Sequence, residues 1–249
     1  MYKSNTKKIV ATIEARMTST RLPGKVLMPL AGKPALERMV ERVKRSKYID
    51  YIVIATTVNV ADSPIVELAD KLNVNCFRGS EMDVLGRVLG AAQSVNADII
   101  VELTGDCPLM DWRVVDRGIE EFLENTSDLA CNVAKRTFPD GFDVQVFPTK
   151  ILAGVATTTD DKLDREHVSR YIYHHPEKYK IHNWEPTEEN CWPDLRVTLD
   201  EQEDYDLINK IFEILLKSNE DFTMEDVINL CKNNRDLVKI NKHVKAKEI

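Results

Sequence analysis

Short apolar runs alternate with amphipathic stretches along the first half of the chain. Residues 8–15, 51–56 and 98–103 are near-continuously apolar and rich in Ile and Val, the pattern of strands buried on both faces. Between them, residues 34–47, 63–72 and 83–95 carry helical periodicity. Pro34 suits a helix's first turn, Asp62 is placed to cap the helix over 63–72 with Pro64 near its start, and Asp111 to cap a helix over 112–124. Residues 74–77 add a short strand. Strands of this kind joined by helices predict a mainly parallel sheet covered on both sides.

Beyond Asp128 the pattern changes. Residues 129–133 and 142–147 read as strands around a polar turn at 136–141, followed by helices over 151–156 and 163–174. Residues 180–184 and 195–199 read as further strands, and helices over 201–217 and 224–231 close the chain. With no repeat and no Gly-, Pro- or Ser-rich linker, the expected architecture is a single Rossmann-like α/β domain over residues 1–249. Residues 133–193 form a small inserted subdomain in this reading, a region for acceptor binding or dimerisation.

Composition narrows the function classes. Hydrophobic content of 43% and charged content of 30% describe an ordinary globular protein. A net charge of -7 argues against a general nucleic-acid binder, although a local cluster of Arg and Lys can still hold a nucleotide. The 5 cysteines are scattered, odd in number and lack C-x-x-C spacing, so they predict neither disulfides nor a zinc site. No apolar leader core and no membrane-length apolar run is present, and a reducing cytoplasm is the expected location. Cys107 reads as a small buried filler, since a thiol nucleophile would need a base partner.

The chemistry concentrates where strands end. The run over 8–15 opens into a loop carrying Arg16, Thr18, Ser19, Thr20, Arg21, Gly24 and Lys25. Arg presents a fixed fork to phosphate oxygens, Lys a mobile charge, and Gly a close backbone approach, so the loop suits a triphosphate. It is not a Walker A loop, because no G-x-x-x-x-G-K-[ST] pattern occurs. Asp106 and Asp200 each follow an apolar strand, and two such carboxylates above one sheet would place Mg2+ against the phosphates; the alternative for each is a turn or helix cap. Thr56, Arg78, Ser80 and Arg87 lie where a nucleobase or sugar could be reached. Asp140, Asp143 and Gln145 suit a polyhydroxylated partner or a plain turn, and His167 sits inside an amphipathic helix.

Residues 15–26, the Thr104-Gly-Asp-Cys-Pro-Leu segment, residues 140–147, Arg165-Glu-His-Val and residues 196–204 closely resemble the spore-coat polysaccharide biosynthesis branch of the cytidylyltransferases. That branch is similar to the synthetases that activate 3-deoxy-octulosonate and sialic-type acids with CTP. The resemblance runs in order over residues 9–211 and rests most on the R-x-x-x-x-R-L-P-G-K loop. It implies transfer of CMP from CTP to a sugar acid or related small acceptor, with release of pyrophosphate. Arg21, Lys25, Asp106 and Asp200 would be catalytic, the two aspartates binding Mg2+. Glu14, Ala15, Arg16, Ser19, Thr56, Arg78 and Ser80 would line the nucleotide site, and Asp143, Gln145 and His167 would face the acceptor. A homodimer is also implied. Two departures stand out: Glu14 replaces a usual Gln beside the phosphate loop, leaving base and substrate choice open, and Trp112 replaces a common Pro. Rival readings are a sugar-1-phosphate nucleotidyltransferase with another base, and a nucleotide-binding regulator.

Overall fold

The computed structural model describes residues 7–245, so part of the start of the chain read for a leader lies outside the described residues. Strand β1 (Ile9–Glu14) is followed by a hairpin of β2 (Pro29–Leu30) and β3 (Lys33–Pro34). Then come α1 (Ala35–Val43), β4 (Tyr51–Thr57), α2 (Ser63–Lys71), β5 (Asn75–Gly79), α3 (Val84–Ser94), β6 (Ile99–Thr104) and α4 (Trp112–Glu124). The second half adds β7 (Leu129–Cys131), β8 (Gln145–Pro148), α5 (Thr149–Ala156), α6 (Lys162–Glu166), α7 (Arg170–His174) and β9 (Ile181–Asn183). Helices α8 (Gln202–Leu215), α9 (Met224–Asn233) and α10 (Arg235–Lys239) finish the described chain.

Seven strands form one sheet in the order β5-β4-β1-β6-β8-β7-β9. The first four neighbours run parallel, β8 is antiparallel to both β6 and β7, and β9 is parallel to β7. The mainly parallel α/β class expected from the apolar runs is what the chain forms. The segment read as an insertion supplies β8 and β9, so it widens the sheet as well as extending from it. From β1 the chain steps outward through β4 and β5, then crosses back to β6 on the other side of β1. Such a switch point opens a crevice at the strands' carboxyl ends.

The two faces of the sheet end differently. Alternation along β1 and β6 sends Ile9, Ala11, Ile13, Ile99, Val101 and Leu103 into one large core shared with α1, α4, α8 and α9. The opposite face begins apolar, with Val10 beside Ala91 of α3 and Ile100 in a second cluster with Leu85 and Val88. Toward the carboxyl ends it turns polar: Glu14 pairs with Thr104, Thr12 with Glu102, and Glu102 with Gln145 of β8. Each fully buried Ile, Leu or Phe contributes about 1.5–3 kcal/mol, which lets the apolar face carry the cost of the polar one.

Three expectations change on folding. The helix over 163–174 divides at His167, whose φ and ψ are -115° and 90°. Ser169 beyond the break donates to Glu102 at 2.8 Å, so a contact to the sheet outcompetes helical continuity. Residues 195–199 form no ladder, because their amides are spent on loops: Val197 N–H to Asp140 O at 2.7 Å and Leu199 N–H to Asp106 O at 2.7 Å. Asp62 makes no side-chain cap to α2. Its carboxylate instead accepts from Met17 N–H at 2.7 Å and from Thr57 N–H at 3.2 Å, pinning the loop after β1 to the end of β4. Asp111 does cap α4, accepting from Arg113 N–H at 2.9 Å, and also holds Met224 N–H at 2.7 Å.

Gly141 has φ of 118°, and a Cβ there would lie 2.8 Å from the Val197 carbonyl. Gly141→Ala should therefore cost about 1–3 kcal/mol or more in urea unfolding, since strain and overlap act together. Glu102 is only 5% exposed, and burial raises its carboxyl to about 7 despite the Ser169 hydrogen bond. A raised acid pKa in the folded state gives stability that is full below the unfolded value and lost as pH rises through the folded one. Wild type should thus lose thermal stability relative to Glu102→Gln between about pH 5 and pH 8. Parallel melting curves across that range would contradict the assignment.

Candidate active site

The loop after β1 is held in shape by its own backbone. Gly24 adopts a left-handed φ of 72° and donates to Met17 O at 2.9 Å, while Leu27 N–H returns to Gly24 O at 2.9 Å. With Asp62 gripping Met17 from below, the loop places Arg21 and Lys25 over the crevice. Lys25, 8% exposed, extends its Nζ to Asp106 Oδ2 and Asp200 Oδ1, each at 2.8 Å. Burial alone would lower the Lys25 ammonium, but the charges of Asp106 and Asp200 outweigh it and hold the pKa above its ordinary value.

Residues distant in sequence converge here because the segments carrying the two aspartates are bonded to each other through Leu199 N–H and Asp106 O. Asp200 is ringed by cations: Arg21 at 2.8 Å, Lys25 at 2.8 Å and Arg196 at 2.5 Å. Burial would raise its carboxyl, yet Lys25, Arg21 and Arg196 together hold it below the usual range. The cap of α8 is not Asp200 but a box formed by Glu201 and Asp204. Arg196 joins this box to Asp140 at 2.7 Å, and fully buried Asp204 also accepts from Asp200 N–H at 3.1 Å. Arg16 pairs with Glu81 at 3.1 Å and not with either aspartate.

Two cavities open above the carboxyl ends of β1 and β6. One, of about 280 Å³, is lined by Ala15, Arg16, Ser19, Arg21, Lys25, Asp106, Asp200 and Arg87. The other, of about 350 Å³, is lined by Glu102, Arg136, Asp143, Gln145, Ser169 and Tyr173. Glu14, Thr104, Glu166 and His167 border both, so the cavities share a wall. His167 reaches that wall because the helix breaks there.

In the second cavity, Arg136 forks onto Asp143 at 2.6 and 2.9 Å. Burial raises the Asp143 carboxyl against the pull of Arg136; at Asp140, burial and then Asp143 push the pKa to about 6 against Arg196 and Arg136. Gln145 takes the Tyr173 hydroxyl hydrogen at 2.6 Å and donates to Glu102 at 3.3 Å. Glu14 and Glu102 hydrogen-bond to one another, and burial, followed by the Glu102 charge, raises Glu14 well above the ordinary carboxyl value.

Thr56, Arg78 and Ser80 line neither cavity. Arg78 donates to the carbonyls of Thr57 and Asn59 at 2.9 and 2.7 Å, and the Ser80 hydroxyl accepts the amides of Met82 and Asp83. The Thr56 hydroxyl is buried and unpartnered among the described residues. Cys107 is buried, and burial pushes its thiol well up, which fits a filler. Glu102, Ser169 and Tyr173 were not singled out from sequence, whereas Asp62 was read as a helix cap and Arg196 only as part of the stretch over 196–204. Glu102 carried a usable signal, a lone carboxylate inside a strand buried on both faces; the others depend on tertiary contacts.

This arrangement suits a polyanion beside a second, polar cavity with acidic side chains in its lining. The cytidylyltransferase family profile matches residues 10–244. An uncharacterized protein of Methanocaldococcus jannaschii is 36% identical over 243 residues, covering 96% of this chain and 97% of its own. The spore coat polysaccharide biosynthesis protein SpsF of Bacillus subtilis is 33% identical over 236 residues, with 92% and 95% covered. A solved cytidylyltransferase from Leptospira borgpetersenii superposes with a TM-score of 0.89 at 33% identity, over 98% of this chain and 100% of that one. No helix among the described residues is long and apolar enough to cross a membrane. The chain belongs to the cytidylyltransferase family and is a nucleotidyltransferase enzyme that uses CTP.

Proposed function

We propose that the protein transfers CMP from CTP to a small polyhydroxylated acceptor, sugar acids included, and releases pyrophosphate. The observation that carries this reading is the shared wall. A cavity lined by the cationic loop and the Asp106–Asp200 pair meets a second, polar cavity at Glu14, Thr104, Glu166 and His167. A nucleotide in the first would present its α-phosphorus toward an acceptor in the second.

Arg21 and Lys25 are the residues to hold the phosphates, with the Ser19 hydroxyl and the backbone at Gly24 close by. Lys25 has a further task, because it neutralises the carboxylates that flank it. Asp106 and Asp200 fit a magnesium ion, which keeps waters and binds one or two carboxylates together with phosphate oxygens. One oxygen of each aspartate lies 2.8 Å from Lys25 Nζ, and no group of three or more His, Cys, Asp or Glu that could hold a metal is found among the described residues. Such an ion would supply charge stabilisation on the phosphates during displacement. In this reading the walls supply alignment, holding acceptor oxygen, phosphorus and leaving oxygen in line. An acceptor hydroxyl must give up a proton, whereas an already ionised phosphate need not. Asp143, Gln145 and His167 stand on the acceptor side in this reading. The resemblance of the second half to pairing regions supports a homodimer, which light scattering in solution tests.

The deciding experiment is pyrophosphate release over the four common nucleoside triphosphates, crossed with sugar acids and phosphorylated small molecules. Acceptor-dependent release with CTP supports the proposal; release with another base in preference to CTP, or none that depends on acceptor, rejects it. Lys25→Met, Asp106→Asn and Asp200→Asn should each lower kcat by about 100-fold or more, the scale of losing one preorganised charge contact at a transition state. Circular dichroism should show the fold intact. Near-wild-type rates in both aspartate variants would remove the metal assignment.

A further inference from the structure

Lys25 Nζ donates to the very oxygens fitted for a cation, Asp106 Oδ2 and Asp200 Oδ1, each at 2.8 Å. Asp200 Oδ1 also meets Arg21 at 2.8 Å, and its other oxygen meets Arg196 at 2.5 Å. Asp106 Oδ1 has the weak thiol donor of Cys107, at 3.7 Å. Two carboxylates of the 280 Å³ cavity are thus matched by two loop cations, Lys25 and Arg21, that line the same cavity. A divalent ion on Asp106 Oδ2 and Asp200 Oδ1 has to displace the Lys25 ammonium, and on its own would leave that buried charge without a partner. A triphosphate alone meets the opposite difficulty. It draws Lys25 and Arg21 to its oxygens and leaves carboxylates stripped of those cations beside a polyanion. Each ligand removes the obstacle to the other.

We propose that Lys25 makes the divalent ion and the triphosphate bind as a pair, its ammonium passing from the two aspartates to the phosphates as the ion takes over the carboxylates. The inference rests on the proposed use of Asp106 and Asp200 for a magnesium ion and of the loop for a triphosphate. A lysine suits the exchange, because a point charge on a flexible four-carbon stem changes partners more readily than a guanidinium fork. Arg196 stays behind and keeps Asp200 oriented. It holds Oδ2 and is anchored in turn on Asp140 and Asp204, neither of which lines the cavity. By reciprocity the ion tightens the nucleotide by the same factor as the nucleotide tightens the ion. A Lys25 that served only as a structural tie would give neither effect.

The test follows Mn2+, which suits the same oxygen ligands as magnesium, by electron paramagnetic resonance, and the α,β-methylene analogue of CTP by calorimetry, on the full chain. With Mn2+ alone, Lys25→Met should bind at least about 10-fold more tightly than wild type. Arg16→Met, which removes a loop cation paired with Glu81 instead, should stay within about twofold of wild type. With the analogue in EDTA, Asp106→Asn should bind at least about threefold more tightly than wild type, and with Mn2+ present that order should reverse. Equal Mn2+ affinity in wild type and Lys25→Met, equal tightening by Arg16→Met, or weaker binding of the metal-free analogue by Asp106→Asn overturns the exchange. Tight Mn2+ binding that survives addition of Asp106→Asn to Lys25→Met places the ion elsewhere and overturns it too. Circular dichroism checks the fold, and if Lys25→Met is unfolded the Asp106→Asn measurements decide. Any of these failures with the analogue still binding wild type in Mn2+ leaves the cytidylyltransferase reading standing. Failure of the analogue to bind wild type in Mn2+ rejects that reading, and the exchange with it.

Discussion

The Lys25 ammonium between Asp106 and Asp200 is the contact on which the rest of the site depends. It joins the loop after β1, the end of β6 and the entry to α8, three segments that no local interaction would bring together. Two partly buried carboxylates this close would repel one another and lose hydration; one buried cation between them turns the repulsion into attraction and offsets the lost hydration. Arg21 and Arg196 then extend the same logic outward, so that Asp200 is surrounded by positive charge and Arg196 anchors Asp140 and Asp204. In the proposed function the cluster is both scaffold and site: the charges that fix the loop are the ones a triphosphate would engage.

The parts of this that are readable in sequence share a physical basis. Strand and helix periods depend on local burial, so β1, β4, β6 and α4 fall close to where their apolar positions put them. The positions of Arg21, Lys25 and Asp106 beyond strand ends were readable because an open parallel sheet has one ligand-binding edge, and the same logic reached Asp200 although residues 195–199 form no ladder. What could not be read are the places where a side chain replaces a backbone partner. Strand β8 starts later than its apolar run because Asn132 accepts from Val144 N–H and donates to Phe142 O, each at 2.8 Å, standing in for the ladder. Asp62 is placed to cap a helix by its spacing, yet a loop amide from 45 residues earlier claims it. Periodicity carries no information about a partner that far away.

The division of the crevice into two cavities follows from the same competition. A continuous helix over 163–174 would keep His167 and Ser169 in register with its own axis. Breaking it lets Ser169 reach Glu102 and sets His167 in the wall between the cavities. The break is thus tied to Glu102, a residue that local preference would not place in a buried strand.

A carboxylate buried on a strand is hard to justify by stability. An apolar residue at Glu102 would pack against the Ile100 side of the sheet, and it would spare the desolvation that lifts the carboxyl to about 7. The surrounding groups do not compensate fully: Ser169 and Gln145 serve one oxygen, while the adjacent Glu14 adds a second acid with an oxygen unpartnered among the described residues. A network satisfied on one side and unsatisfied on the other is a poor structural device. The cost falls on the wall both cavities share, and not on the Lys25 cluster, where every charge has a partner. The Lys25 cluster is therefore satisfied as it stands, whereas the unsatisfied carboxyl oxygen sits where the two cavities meet.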